Sequence, residues 1–374
     1  MAISAQDIKS CLLYTSGYIS KVVQLRKKFF DHYKKGDIKE AIQVGEEMVS
    51  IYRSHHAFQT LEYANDINNV ANAWLDINEN NRALTYYKQA AAIRKKLVGD
   101  NSLAYADTLN NMAIALSGEG KRAQAKEAIK SVILIRRKNL GETHKDYCMA
   151  LFNLSSINED MGNLPEAERI GRKALIAYEK CDEKNIDDYT DLLIGLGRIC
   201  AKRGVYKLAC ESYEKAVDLL KEKKEKYIFY LTVLLNTAEA LKELKKYKKS
   251  IAYYESALRL REKFMERTHL DYVVTLNNLA SVYKSDEQTE KAITLHQEVL
   301  KLVKDITGEN HDFYAQALDN LEDDYCDQND FDQSMYYHLK AQEIRKETVG
   351  EKHIYYTTGL LRIGDSCLLM HKME

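Results

Sequence analysis

Asparagine stands at Asn69, Asn111, Asn153, Asn236, Asn278 and Asn320, in steps of 42 residues with one step of 83. Asn68, Asn110 and Asn277 precede three of them, inside "YANDINNVA", "YADTLNNMA" and "YVVTLNNLA". A carboxamide both donates and accepts hydrogen bonds, as an unfolded peptide backbone does at every residue. A row of Asn can therefore hold an extended peptide without reading its side chains. The competing use is a hydrogen bond to a neighbouring helix that stiffens the stack. Asn is a poor helix former, so its recurrence needs one of these reasons.

Other candidate chemistry is weaker. Residues 117–122 read "SGEGKR", but a Walker A loop would need Gly at Ala115 and Ser or Thr at Arg122. His144, His269, His311 and His353 each lie three residues before a recurrent Tyr. One per unit, they cannot converge on a metal, and a packing role in a loop or at a helix N-terminus is expected. His55 and His56 have no HExxH or paired-cysteine context. No GxSxG occurs, and Cys11, Cys148, Cys181, Cys200, Cys210, Cys326 and Cys367 form no CxxC. The many carboxylates fit solvated helix faces. No catalytic residue, cofactor or metal is expected, and the chain reads as a non-enzyme.

The elements that position the Asn residues follow from a period. Tyr recurs at 63, 105, 147, 189, 230, 272, 314 and 356, in steps of 42 with one of 41. Counted from these, offset 4 is Leu or Ile and offset 8 is mostly small, as in Ala71, Ala113, Ser155 and Gly197. Offset 20 is Ala or Ser, and offset 15 is often a turn residue: Gly36, Asn78, Gly120, Gly162, Gly204 and Asn329. Offsets 4, 7, 8 and 11 share one helix face, and 20, 24 and 27 share a face of a second helix. Gly or Asn at offset 15 caps the first helix in the left-handed region. Small residues let the two backbones approach, and each pair needs a neighbour to cover its apolar side.

This pattern resembles the tetratricopeptide repeat. The period, with "IRRKNLGETHKDYCMAL", "LREKFMERTHLDYVVTL" and "LVKDITGENHDFYAQAL" after the second helices, resembles the 42-residue repeats of kinesin light chains. The usual Pro after the loop His is replaced by Lys145, Leu270, Asp312 or Ile354. The resemblance implies an all-α fold, a right-handed superhelix (α-solenoid). Eight helix-turn-helix units starting near 21, 63, 105, 147, 189, 230, 272 and 314 would fill 21–355. Residues 356–374 would form a C-terminal capping helix. Residues 1–20 fall outside the period; a capping helix, a tail and a fusion scar all fit them.

Composition agrees. With 55 Lys+Arg against 56 Asp+Glu the chain lacks the basic excess of a nucleic-acid binder. Seven scattered cysteines read most simply as thiols of a reducing cytoplasm, and neither a signal peptide nor a stretch apolar enough to span a membrane is recognisable. The basic runs at 221–226 and 242–249 read as solvated faces.

In this family the first helix of each unit lines the concave face, which the resemblance implies here. Offsets 2, 5, 6, 9 and 13 would then face the groove. They carry Asp76, Asp107, Asp160, Asp191, Glu239, Glu243, Asp319, Asp323, Asp327 and Asp365, against Arg198, Lys202 and Arg362. The groove is expected to be acidic and to attract a basic segment. Phe152, Ile194 and Leu235 at offset 5 would add an apolar patch for an anchor residue. The expected function is a scaffold that binds a protein or peptide with basic and apolar residues, without nucleic acid, membrane or cofactor. A peptide-responsive sensor, a non-catalytic subunit of an enzyme complex and a self-associating scaffold are the alternatives.

Overall fold

The computed structural model describes residues 5–223, 226–264, 269–351, 353–354 and 356–358. Sixteen α-helices and no strand occur among them. The first helices of the pairs are α1 (Ala5–Lys35), α3 (Leu61–Asp76), α5 (Leu103–Gly118), α7 (Lys145–Asp160), α9 (Ile186–Lys202), α11 (Tyr227–Glu243), α13 (Leu270–Ser285) and α15 (Asp312–Asp327). Their partners are α2 (Ile38–Ser54), α4 (Asn80–Val98), α6 (Arg122–Leu140), α8 (Leu164–Tyr178), α10 (Tyr206–Leu220), α12 (Tyr247–Phe264), α14 (Thr289–Thr307) and α16 (Phe331–Thr348). The chain is an all-α solenoid, in two compact units, Met1–Ile199 and Cys200–Glu374. α1 runs unbroken from Ala5 into the first repeat. The expected capping helix, with Arg362 and Asp365, lies outside the described residues beyond 358.

The turn inside each pair is closed at offset 15. Gly36, Asn78, Gly120, Gly162, Gly204, Lys245, Glu287 and Asn329 all have φ between 58° and 84°. The next residue's N–H then reaches back to the helix, as Lys121 N does to Leu116 O at 2.9 Å. Lys245 and Glu287 hold the same conformation without being Gly or Asn. Hydrogen bonds of 2.9 Å from Lys246 N to Leu241 O and from Gln288 N to Tyr283 O close their turns.

The small residues do what their spacing requires. Ala41, Ala83, Ala125, Ala167, Ala209 and Ala292 are fully buried. At two positions where Ser replaces Ala, its hydroxyl bonds the facing helix. Ser155 Oγ donates to Ala167 O at 2.6 Å, and Ser250 Oγ to Ala238 O at 2.7 Å. Both bonds join offset 8 to offset 20. The first unit packs a core that includes Phe29, Ile67, Tyr87, Ile129, Tyr147, Leu154 and Tyr178. The second packs one that includes Tyr254, Tyr272, Leu276, Tyr314 and Leu318.

Candidate functional site

The Asn register divides into bonded and open amides. Asn153 Nδ2 donates to Asn110 Oδ1 at 2.9 Å, and Asn320 Nδ2 to Asn277 Oδ1 at 2.6 Å. Offset 6 of one repeat thus meets offset 5 of the preceding one. Asn110 passes the chain on to Asn111 (3.3 Å), and Asn111 to Asn72 (3.0 Å), which also accepts from the Tyr87 hydroxyl at 2.7 Å. This relay ties α7, α5, α3 and α4 together. Asn68 departs from the expected position on the open face. It is buried, because Thr108 Oγ1 on α5 donates to its Oδ1 at 3.2 Å.

Asn69, Asn236 and Asn278 are half-buried, and their side-chain amides have no hydrogen-bond partner among the described residues. The preceding repeat explains this. For Asn69 and Asn278, offset 5 there is Arg26 and Leu235, neither of which can accept a hydrogen bond. Arg26 is itself bidentate on Asp66, at 2.7 and 2.6 Å.

Phe152 shows the apolar form of the same contact. It occupies offset 5, and Gly195 stands at offset 6 of the next repeat in place of Asn. A Cβ on Gly195 would lie 2.3 Å from Phe152 Cε2, so only glycine admits the ring. Phe152 is therefore drawn into packing against the first core, with Ile194 half-buried on the same helix as Gly195. Leu235 packs partly against the second core.

The carboxylates are less available than their count suggests. Arg residues at offset 31, in the last turns of the second helices, reach them. Arg136 Nη2 donates to Asp107 Oδ1 at 2.8 Å while Nη1 holds Asp146 O at 2.9 Å. Arg345 is bidentate on Asp319, and Arg94 bridges Asn65 (2.7 Å), Ala104 O (2.7 Å) and Thr108 (2.6 Å). These guanidiniums are buried, and burial pulls that of Arg94 below its ordinary value. Each of Arg94 and Arg136 joins its own first helix to that of the next repeat. The signal was present in the "IR" at 93–94, 135–136 and 344–345, a position outside the groove offsets. Elsewhere, Arg198 pairs with Glu159, and Lys284 with Asp327 at 3.1 Å. Neutral donors hold Asp76 (Tyr33) and Asp160 (Ser117, 3.1 Å). Glu239 accepts from Tyr254 at 2.8 Å and pairs with Lys242 at 3.4 Å, and Asp191 is exposed on α9.

A cavity of about 300 Å³ opens in the second unit between α13 and α15. Leu270, Val274 and Phe313 rim it, Val299 and Val303 of α14 line it, and the Asn277–Asn320 pair borders it. Val274 is 57% exposed, an unusual position for a Val on a helix that is otherwise well packed.

The histidines serve as helix caps. Nδ1 of His144, His269 and His311 accepts from Asp146 N, Asp271 N and Phe313 N, each at 3.2 Å. "SGEGKR" is the turn from α5 to α6. Among the described residues no group of His, Cys, Asp and Glu could hold a metal, and no helix is long and apolar enough to cross a membrane.

Comparison with known proteins agrees with this architecture. Two family models described as tetratricopeptide repeat match, one at residues 67–104 and 106–146, the other at 188–263 and 271–347. No curated protein matched the sequence. Among solved structures, the apo form of RapI is 13% identical and covers 94% of this chain and 98% of its own, with a TM-score of 0.58. A signal transduction ATPase with numerous domains and a tetratricopeptide repeat sensor, from Pyrococcus horikoshii, is 16% identical with a TM-score of 0.59. It covers 89% of this chain, which spans 48% of it. BtubC (BKLC) from P. vanneervenii is 20% identical and covers 62% of this chain and 92% of its own, with a TM-score of 0.49. At such identities the first two speak to the fold alone. Tetratricopeptide repeats generally serve as protein-interaction scaffolds or sensors, bind proteins or peptides, and are typically non-catalytic. The paired helices, their recurrent small residues and the two matching models together place the chain in the tetratricopeptide repeat family.

Proposed function

We propose that the chain is a non-catalytic, cytoplasmic scaffold of the kinesin-light-chain-like kind that binds a peptide segment of a partner protein on its first-helix face. One observation carries the reading: in the second unit, the open amides of Asn236 and Asn278 share a register with the Asn277–Asn320 pair beside an apolar cavity. The open amides suit a peptide backbone, and the cavity suits one apolar side chain. The bonded amides of Asn110, Asn111, Asn153, Asn277 and Asn320 stiffen the stack and keep the face in register. In the first unit, Asn69 offers the corresponding open amide.

The preference for cations in the ligand is narrower than the residue count suggests. It rests on carboxylates held by neutral donors, Asp76 and Asp160. Asp107 and Asp319 are already matched by Arg136 and Arg345.

Affinity purification of the full chain from its host, with the captured proteins quantified by mass spectrometry, tests the reading against a Val274→Asp variant. Val274 is exposed enough for the charge to be tolerated, and an Asp at the cavity rim opposes an apolar anchor. Loss of the specifically captured protein from the variant is the expected result. Equal capture by both forms would count against the cavity as an anchor site.

A further inference from the structure

We infer that Cys148 and Cys181 form a redox-sensitive pair, a modification site at which a peroxide converts two thiols to one disulfide. The two sulfurs lie 3.8 Å apart, in van der Waals contact, and both thiols are buried and free. Cys148 is in the first turn of α7, and Cys181 is in the connection from α8 to α9. A disulfide requires a sulfur separation of about 2 Å. Closing the remaining gap needs movement of the kind a loop residue can make, and Cys181 lies outside a helix.

This connection lacks the glycine that ends four of the other second helices. Gly99, Gly141, Gly308 and Gly350 end other second helices with φ between 82° and 88°. Residues 179–185 read "EKCDEKN" and contain no glycine. The Tyr178 hydroxyl takes over, bonding Asn185 O at 2.9 Å and Asn185 N at 2.8 Å. The sulfur contact is a second tie on the same segment. A disulfide would fasten the segment ahead of α9 to α7.

Access assigns the two roles. Cys181 lines a cavity of about 310 Å³ whose other walls include Thr143, His144, Lys145, Asp182 and Glu183. Cys148 does not line that cavity, and burial pushes its thiol up to about 12. Hydrogen peroxide entering the cavity meets Cys181 first. The Cys181 sulfur, as thiolate, attacks one peroxide oxygen; the O–O bond breaks, and the departing hydroxide takes a proton to become water. Cys181 is then a sulfenic acid. Cys148 gives up its proton and its sulfur attacks that of Cys181. The S–S bond forms, the S–O bond breaks, and the second hydroxide leaves as water with the proton from Cys148. Two thiols are oxidised and one peroxide is reduced to two waters.

The test is peroxide treatment of the full chain, alkylation of the remaining thiols, digestion without reduction, and mass spectrometry. The expected main oxidised product is the Cys148–Cys181 cross-linked peptide, with a melting temperature raised by several degrees and both changes reversed by dithiothreitol. Cys148→Ser should stop at a Cys181 sulfenic acid that dimedone traps, and Cys148→Ala gives the same readout if the serine variant misfolds. Recovery of Cys148 and Cys181 as alkylated thiols while other cysteines oxidise would overturn the proposal. So would cross-links that join either one to a different cysteine or to a second chain.

Discussion

Asn153 donates its amide hydrogen to Asn110 across 2.9 Å, and the two residues belong to successive repeats 43 positions apart. Asn320 and Asn277 repeat the relationship at the same separation. An Asn at this register is bonded where the previous repeat offers an amide, and open at Asn278, where it offers Leu235. Asn153→Ala is therefore expected to lower stability by about 1 kcal/mol, the loss of a part-buried hydrogen bond. Asn278→Ala is expected to raise it by about 0.5 kcal/mol, because Ala is the better helix former and no bond is lost. Denaturant midpoints of the two variants check this, and equal shifts would contradict the division into bonded and open amides.

Gly195 and Phe152 make a sharper test, because the contact is steric. Gly195→Ala puts a methyl group within 2.3 Å of the Phe152 ring. A destabilisation of about 2 kcal/mol is expected from overpacking, beyond any gain in helix propensity. Phe152→Leu in the same chain should relieve most of it, and a double-mutant cycle would show coupling of at least about 1 kcal/mol. Additive effects would mean that the ring moves aside freely.

Glu287 and Lys245 hold φ values of 59° and 58°, at a position where most other repeats use Gly. The left-handed conformation costs a residue with a side chain about 1 kcal/mol relative to glycine. Glu287→Gly should therefore raise the unfolding midpoint of the second unit, by roughly 1 kcal/mol less the entropy glycine gains in the unfolded chain. Thermal and denaturant unfolding of the single variant measure it, and a lowered midpoint would contradict the strain.

Alkaline sensitivity follows from the tyrosines. Burial, with the carboxylates of Asp76 and Glu179 beside them, pushes the Tyr33 and Tyr189 hydroxyls from 10 up to about 12. The folded state then keeps protons that the unfolded state has lost. Stability is full below pH 10 and falls as pH rises from 10 towards 12. Tyr189→Phe should flatten that fall, which melting curves across the range would show. An unchanged slope would contradict it.

The repeat was legible because close packing leaves a periodic trace: Tyr63 to Tyr314, the buried Ala series and the glycines at offset 15. The Asn ladder was visible too, but its use was not. Whether Asn153 bonds Asn110 depends on what stands in a different repeat, and helix periodicity read one unit at a time carries no such pairing. The same limit hid Arg136 and Arg345, which belong to second helices and meet Asp107 and Asp319 only once the pairs have folded. Gly195 looked like a missing Asn, and its reason was the Phe152 ring one repeat earlier.

In the proposed function open amides, and not bonded ones, hold the ligand. The most direct measurement is the affinity of a peptide selected from a random display library on the full chain, titrated against Asn236→Ala/Asn278→Ala and against Asn110→Ala/Asn153→Ala. Two lost hydrogen bonds to a ligand predict binding weaker by about tenfold or more for the first double variant, with its melting temperature nearly unchanged. Unaltered affinity in that variant, or a loss confined to the Asn110 and Asn153 variant, would contradict the account.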